Sequence, residues 1–344
     1  MLTISNMTRS MFQFAFTSLT PLALITNGAI WGGLWIAAAV IYLTAMTSLL
    51  DRLIKRESPA GEAAFDDLLS VLVGISHLIL MPLVVWALTA EHLEPLGKAG
   101  IFFAAGLWFG QVSNANAHEL IHRSSHGLHR LGMWAYITIL FGHHTSTHVL
   151  VHHHYVATHA DPNTSRKGES LYRYIWRAWT GSFREGYRAE AARLSKIGRP
   201  TWNNPYFVHV GGALACIAAA FFFGGGAIVL AYVCLCAHAQ SQLMMSDYVQ
   251  HYGLTRARDA KGKHVAVAAR HSWNSPHWFS SAMLLNATRH SDHHAHPKRH
   301  YPALTIPDHT PMLTRPLPLM ASIALIPPLW RKIMDPRVEQ WCNA

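Results

Sequence analysis

The sequence predicts an all-α, polytopic membrane protein in which six transmembrane helices carry a histidine-rich cap on the cytoplasmic side. Three observations predict it. Of 344 residues, 51% are hydrophobic and only 13% charged, against about 25% charged in a typical soluble domain. The apolar residues gather in long uncharged runs. The 25 histidines fall mostly in tight groups at the polar ends of those runs. A mean hydropathy of +0.14 is low for a chain wholly immersed in lipid, so a sizeable polar part must accompany the spans.

Residues 11–50 carry no charge. As one helix they would be about 60 Å long, twice the hydrocarbon core, so the run must fold back. Asn27-Gly28 is a natural turn dipeptide, which predicts spans at 10–27 and 29–50. The stretch 51–67 is polar and holds Arg52, Lys55 and Arg56. A third span follows at 68–90, then an acidic link at 91–98. A fourth span at 99–117 runs into HELIHR. Spans five and six, 206–223 and 226–246, are joined by Gly224-Gly225-Gly226.

The positive-inside rule puts the 51–67 loop in the cytoplasm. Spans four and six then deliver His118, His122 and His251 to that same face. Residues 131–150 begin apolar but end in histidines. A crossing here would leave His148 and His152 across the bilayer from His118. The segment is therefore expected to be a buried interfacial or re-entrant piece, tolerable where protein surrounds the backbone. Residues 317–330 contain Pro318, Pro327 and Pro328 and are too short and broken to span. The whole chain, 1–344, reads as one domain, its cap formed by 118–205 and 247–344.

The net charge is +10 with histidine neutral. No nucleic-acid motif accompanies it, and the apolar spans direct it to the membrane. Residues 166–199 hold nine Lys or Arg against three acids, with Trp176, Trp179 and Tyr187 interleaved. They predict a surface helix on anionic headgroups and, compatibly, a docking face for an acidic electron carrier, with Arg173, Arg177, Arg184 and Arg188 as candidates. Cys216, Cys234, Cys236 and Cys342 form no CxxC and read as reduced filler. The first ten residues carry Arg9 alone as a charge, and further apolar segments follow, which predicts a retained anchor rather than a cleaved leader.

Neutral imidazole is a common ligand for transition metals. His118 and His122 lie four apart, on one helical face, and His148 and His152 repeat that spacing. His153, one residue further, points toward a second ion. His290, His293 and His294 cover an arc of about 100° on a helix and can reach two ions. With His251 these groups total nine. Mononuclear sites take three to six protein ligands, so nine fits two metals. Zinc, copper, iron and nickel all accept such ligands. HELIH also matches the HExxH zinc-protease pattern, but that reading leaves seven clustered histidines unexplained. Clusters at span ends, on one face, likewise argue against a metal transporter, whose ionisable residues lie near mid-bilayer. His143 and His144 read as packing or neighbouring groups, and His77 and His238 as turned into the bundle.

In this order, NANAHELIHR (114–123), HVLVHHHYVATHADPNTSRKGES (148–170), DYVQHYGL (247–254) and HSWNSPHWFSSAMLLNATRHSDHHAHPKRHYPAL (271–304) resemble the membrane alkane 1-monooxygenases. That family belongs to the integral-membrane non-haem diiron group, with the acyl desaturases and xylene monooxygenases. The resemblance implies two irons held by His118, His122, His148, His152, His153, His251, His290, His293 and His294. It implies terminal hydroxylation of alkanes with dioxygen, and electrons from a rubredoxin and its NADH-dependent reductase. The chain has no ferredoxin-type cysteine set, GxGxxG or haem motif, so no haem, flavin or nicotinamide is expected on it. Glu119, Asp161 and Asp292 are candidates to orient imidazoles from behind. Two places depart from the family pattern: Thr147 and Gln250 stand where an acid often precedes a ligand histidine, and Ala287-Thr288 replaces a bulkier pair.

Overall fold

The computed structural model describes residues 4–61 and 66–343. Residues 62–65 of the predicted polar loop, and residues 1–3 and 344 of the predicted domain, lie outside the described residues. Among the described residues every regular element is helical, and β-pairing is confined to three isolated bridges.

The apolar run near the N-terminus folds back, but later than predicted. Helix α1 spans Ile4–Trp31 and α2 continues from Leu34 to Leu53. The turn falls at Gly32 and Gly33, both at positive φ (68° and 58°), a region glycine enters at little cost. Asn27-Gly28 instead stays helical. Asn27 returns its amide to the Ala23 carbonyl at 2.8 Å, and Gly28 packs where a Cβ would stand 3.0 Å from Ile36 Cγ1. The turn dipeptide is thus used for close helix packing between α1 and α2.

Helix α3 spans Asp66–Thr89, close to the predicted third span. Helix α4 starts earlier than predicted, at Pro95 in the favoured first helical position. It runs through a wide turn at Trp108–Ser113 and ends with Asn114–Ile121. His77, buried on α3, joins Ser113 of α4 (2.6 Å) to Thr138 of the next helix (2.9 Å). That next helix, α5, is His126–Thr138. Its 13 residues reach about 20 Å, too short to cross a bilayer. It folds back against α4, so 131–150 does not separate the histidine groups. A short helical segment, α6, follows over 144–155, and then α7, Leu171–Lys196.

The long apolar stretch Tyr206–His251 breaks at Gly224 and Gly225, giving α8 (206–223) and α9 (226–251). The arms fold back on one another, bringing Cys216 beside Tyr232. Helix α9 therefore carries His251 itself, beyond the predicted end at 246. At Gly110 of α4 a Cβ would stand 2.3 Å from the Ala239 carbonyl of α9, so only glycine permits this approach of α4 and α9. Among the described residues four stretches are long and apolar enough to cross a membrane: Ser10–Trp31, Leu34–Leu53, Asp66–Thr89 and Tyr206–His251.

The remaining helices close the polar end: α10 (Trp278–Met283), α11 (His290–Ala295), α12 (Leu317–Ala324) and α13 (Pro327–Asn343). Buried Asp51, at the foot of α2, accepts from the Phe279 and Ser280 amides at 2.7 and 3.1 Å. This N-terminal cap ties an apolar helix directly to the polar layer.

Candidate metal centre

The four histidine groups converge. His118, His122, His148, His153 and His293 form one set, and His152, His251, His290 and His294 a second, with the ligand atoms of each set lying within 4.8 Å of one another. The sets adjoin: the His153 and His294 rings are 4.6 Å apart. All nine histidines singled out from the sequence are here. His148, His152, His251, His290, His293 and His294 are buried.

The division differs from the predicted one at a single point. His148 pairs with His153, and His152 joins the other set. The cause is the wide turn over His148–His152. Such a turn inserts one residue into the helix, so positions five apart share the face that positions four apart share in an ordinary α-helix. His293 and His294, adjacent on α11, divide between the sets as their arc allows.

The geometry fits transition ions. Nε2 of His148 lies 2.7 Å from that of His118 and 2.9 Å from that of His153. His290 Nε2 lies 2.9 and 3.1 Å from those of His251 and His294. Ligands at about 2.1 Å from one ion stand about 3 Å apart when they are at right angles. The buried His152 Nε2 has no hydrogen-bond partner, as expected of a nitrogen aimed at an ion. Burial first, and neighbouring imidazoles second, hold His118, His148, His153, His290, His293 and His294 well below the ordinary imidazole value. These rings stay neutral and free to ligate.

The three candidate orienting acids differ in what they touch. Asp161 receives His152 Nδ1 at 2.8 Å, both side chains being fully buried. Burial pulls this imidazole down, yet the Asp161 charge and hydrogen bond hold it above its ordinary value. Asp161 is itself supported by the Thr164 hydroxyl (2.7 Å) and the Asn163 amide (3.0 Å). Glu119 faces away from the imidazoles, toward Arg123 (3.1 Å) and the Tyr301 amide (3.2 Å). Asp292 holds Arg299 (2.6 Å), His296 (2.9 Å) and the Thr305 amide (2.8 Å), none of them among the nine.

The departures from the family pattern have structural partners. Thr147 donates to the Ser182 carbonyl of α7 at 2.8 Å. Gln250 donates to the Ala287 carbonyl at 3.0 Å, bracing the loop that leads to His290. Buried Arg289 donates to the Leu304 and Ser58 carbonyls at 2.5 and 2.6 Å, fixing that loop from the other side.

A chamber of about 50 Å³ reaches His118 of one set and His290 of the other. Buried His144 and Asp247 also line it. His143, by contrast, packs among Phe141, Trp179 and Phe183. Asp247 accepts from Asn163 at 2.9 Å and escaped the sequence reading. Its one signal is its place a helical turn before His251.

Of the candidate docking arginines, Arg173, Arg184 and Arg188 are exposed on α7, Arg188 donating to Glu185 at 2.6 Å. Arg177 is not free. It donates to both oxygens of buried Glu169 (2.8 and 2.7 Å) and to the Pro162 and Thr164 carbonyls.

The fatty acid desaturase family matches residues 94–306, a range holding both sets. Alkane 1-monooxygenase 1 of Pseudomonas aeruginosa is 32% identical, over 89% of this chain and 84% of the relative. Alkane 1-monooxygenase 1 of Alcanivorax borkumensis is 29% identical, over 92% and 80%. The hydroxylase component of the Pseudomonas putida xylene/toluene monooxygenase is 26% identical, over 91% and 85%.

Proposed function

The chain belongs to the fatty acid desaturase family and, within it, to the alkane 1-monooxygenases, and on that premise we propose that it converts linear alkanes to primary alcohols with dioxygen and two electrons. The observation that carries the reading is the pair of adjoining all-imidazole sets opening on one small chamber. Two irons would be held by His118, His122, His148, His153 and His293 on one side and by His152, His251, His290 and His294 on the other. Iron bound there would supply the chemistry of dioxygen activation and methyl oxidation.

The chain's own residues do the rest. Asp161 fixes the tautomer and direction of His152. A chamber this narrow would admit a chain end rather than the chain's middle. That restriction supports terminal selectivity. We place the protein in the bacterial cytoplasmic membrane as a single six-span domain with its metal end toward the cytoplasm. Arg52, Lys55 and Arg56 just after α2 support that orientation. Electrons would arrive from a rubredoxin and its reductase, and exposed Arg173, Arg184 and Arg188 offer a cationic face for an acidic carrier.

Iron-loaded membranes incubated with rubredoxin, its reductase, NADH and alkanes from octane to hexadecane should yield primary alcohols. Benzylic alcohol from xylene, with no alkanol, would move the chain to the methyl-arene hydroxylases. An unsaturated acyl product would move it to the desaturases.

A further inference from the structure

We propose that the hydrogen-bonded pair Gln111–Gln242 is a gate between the chamber and a membrane-facing cleft in which the substrate's hydrocarbon chain lodges. This rests on the hydroxylase reading of the chamber. The cleft, about 390 Å³, lies between α2, α4, α9 and α12. Exposed Phe103 and Leu325 stand at its mouth, and buried Leu43, Leu107 and Met245 form apolar wall.

Four residues line both cavities: Gln111, Gln242, Pro318 and Ala321. Pro318 and Ala321 belong to α12 and form one side of the passage. The glutamines come from α4 and α9, and Gln111 Nε2 donates to Gln242 Oε1 at 3.0 Å. Their bridge therefore stands on the boundary. Local structure puts it there. Gln111 lies in the wide turn of α4, a feature that recurs at functional sites. Its neighbour Gly110 lets α4 touch the α9 backbone at Ala239, one helical turn before Gln242.

The chemistry suits a gate. The pair is uncharged, and a single neutral hydrogen bond is weak enough to open thermally. In apolar surroundings the two amides re-pair rather than remain unsatisfied. A saturated chain offers neither donor nor acceptor to replace the bridge. It passes only by wedging the side chains apart, which favours slender, unbranched ends.

The test reads entry without depending on turnover. Ser246 lines the chamber but not the cleft. The full-length Ser246→Cys protein in membranes is treated with n-octyl or adamantyl methanethiosulfonate. Labelling at position 246 is then followed by peptide mass spectrometry, which separates it from the native cysteines. The octyl reagent should label about tenfold faster than the adamantyl one, the scale of discrimination that shape alone gives. Adding Gln111→Ala or Gln242→Ala should bring the ratio to about threefold or less, and the double variant should go no further, because either change breaks the same bridge. Equal entry of both reagents into Ser246→Cys protein overturns the proposal. So does a ratio that neither glutamine variant moves while iron binding is retained. Alcohol formation is assayed in parallel with the native chain. Gate-dependent labelling without alcohol would remove the hydroxylase reading and leave the gate standing.

Discussion

Among single residues, Asp161 has the clearest task. Asp161→Asn keeps the shape but removes the charge that orients His152. Iron affinity should fall about 10- to 100-fold, as for other partners of metal-bound imidazoles, measured by metal titration. The same pair sets a pH signature in the metal-free protein. Burial alone would raise the Asp161 carboxyl, but His152, Thr164 and Asn163 hold it below the carboxylate range, so its contribution is present above about pH 4 and is lost as pH falls through the lowered value. His152 is held above its ordinary value, so its contribution is present below about pH 6.5 and is lost as pH rises through the raised value. The stability gap between wild type and Asp161→Asn should be largest between those limits and shrink on both sides. A gap independent of pH would mean that the pair is not charged. Arg177 makes a contrast with its neighbours. Arg177→Ala strips a buried carboxylate of its partner and should cost about 3 kcal/mol, visible in the unfolding midpoint. Arg184→Ala and Arg188→Ala should each stay within about 0.5 kcal/mol while weakening reduction by an acidic carrier and its salt dependence. The gathering of the nine imidazoles was legible because three of the four motifs keep their histidines close in sequence. The Tyr301 partner of Glu119 was not, since it lies 182 positions away and no spacing rule links the two.

At the level of helices, the decisive device is the wide turn, present at Tyr42–Met46, Trp108–Ser113 and His148–His152. Each lies within a helical run, and no residue pattern marks it, so counting in fours assigned His152 to the wrong partner. Deleting Leu150 should convert the third wide turn to ordinary α-helix and keep His153, then four positions from His148, on the same face. Bound iron should stay at two per chain, measured by metal analysis of purified protein with its helicity unchanged. Loss of one or both irons would mean that the turn does more than set the register of His148 and His153. Span ends show the same kind of limit. Runs of apolar residues located the spans, but Asn27-Gly28 and Gly32-Gly33 offered two places to turn. Packing of Gly28 against Ile36 decided between them, and that contact exists only once both helices are formed.

For the molecule as a whole, the two sets consist of histidine alone. Carboxylate-rich sites, when emptied, leave like charges pressed together. Here burial keeps the neighbouring rings neutral and the Asp161 carboxylate balances His152, so departure of the ions leaves little repulsion to disperse. Asp51 and the Arg289 web tether the surrounding loops by contacts independent of any ion. Chelation should therefore lower the unfolding temperature only through the lost binding free energy, with helicity kept. Ferrous iron returned anaerobically should restore full occupancy without a denaturation step. Collapse of the stripped protein would show that the ions organise the cap. Survival means that the scaffold is finished before its cargo arrives, so a cell could stockpile it in times of iron scarcity and switch it on by resupply alone.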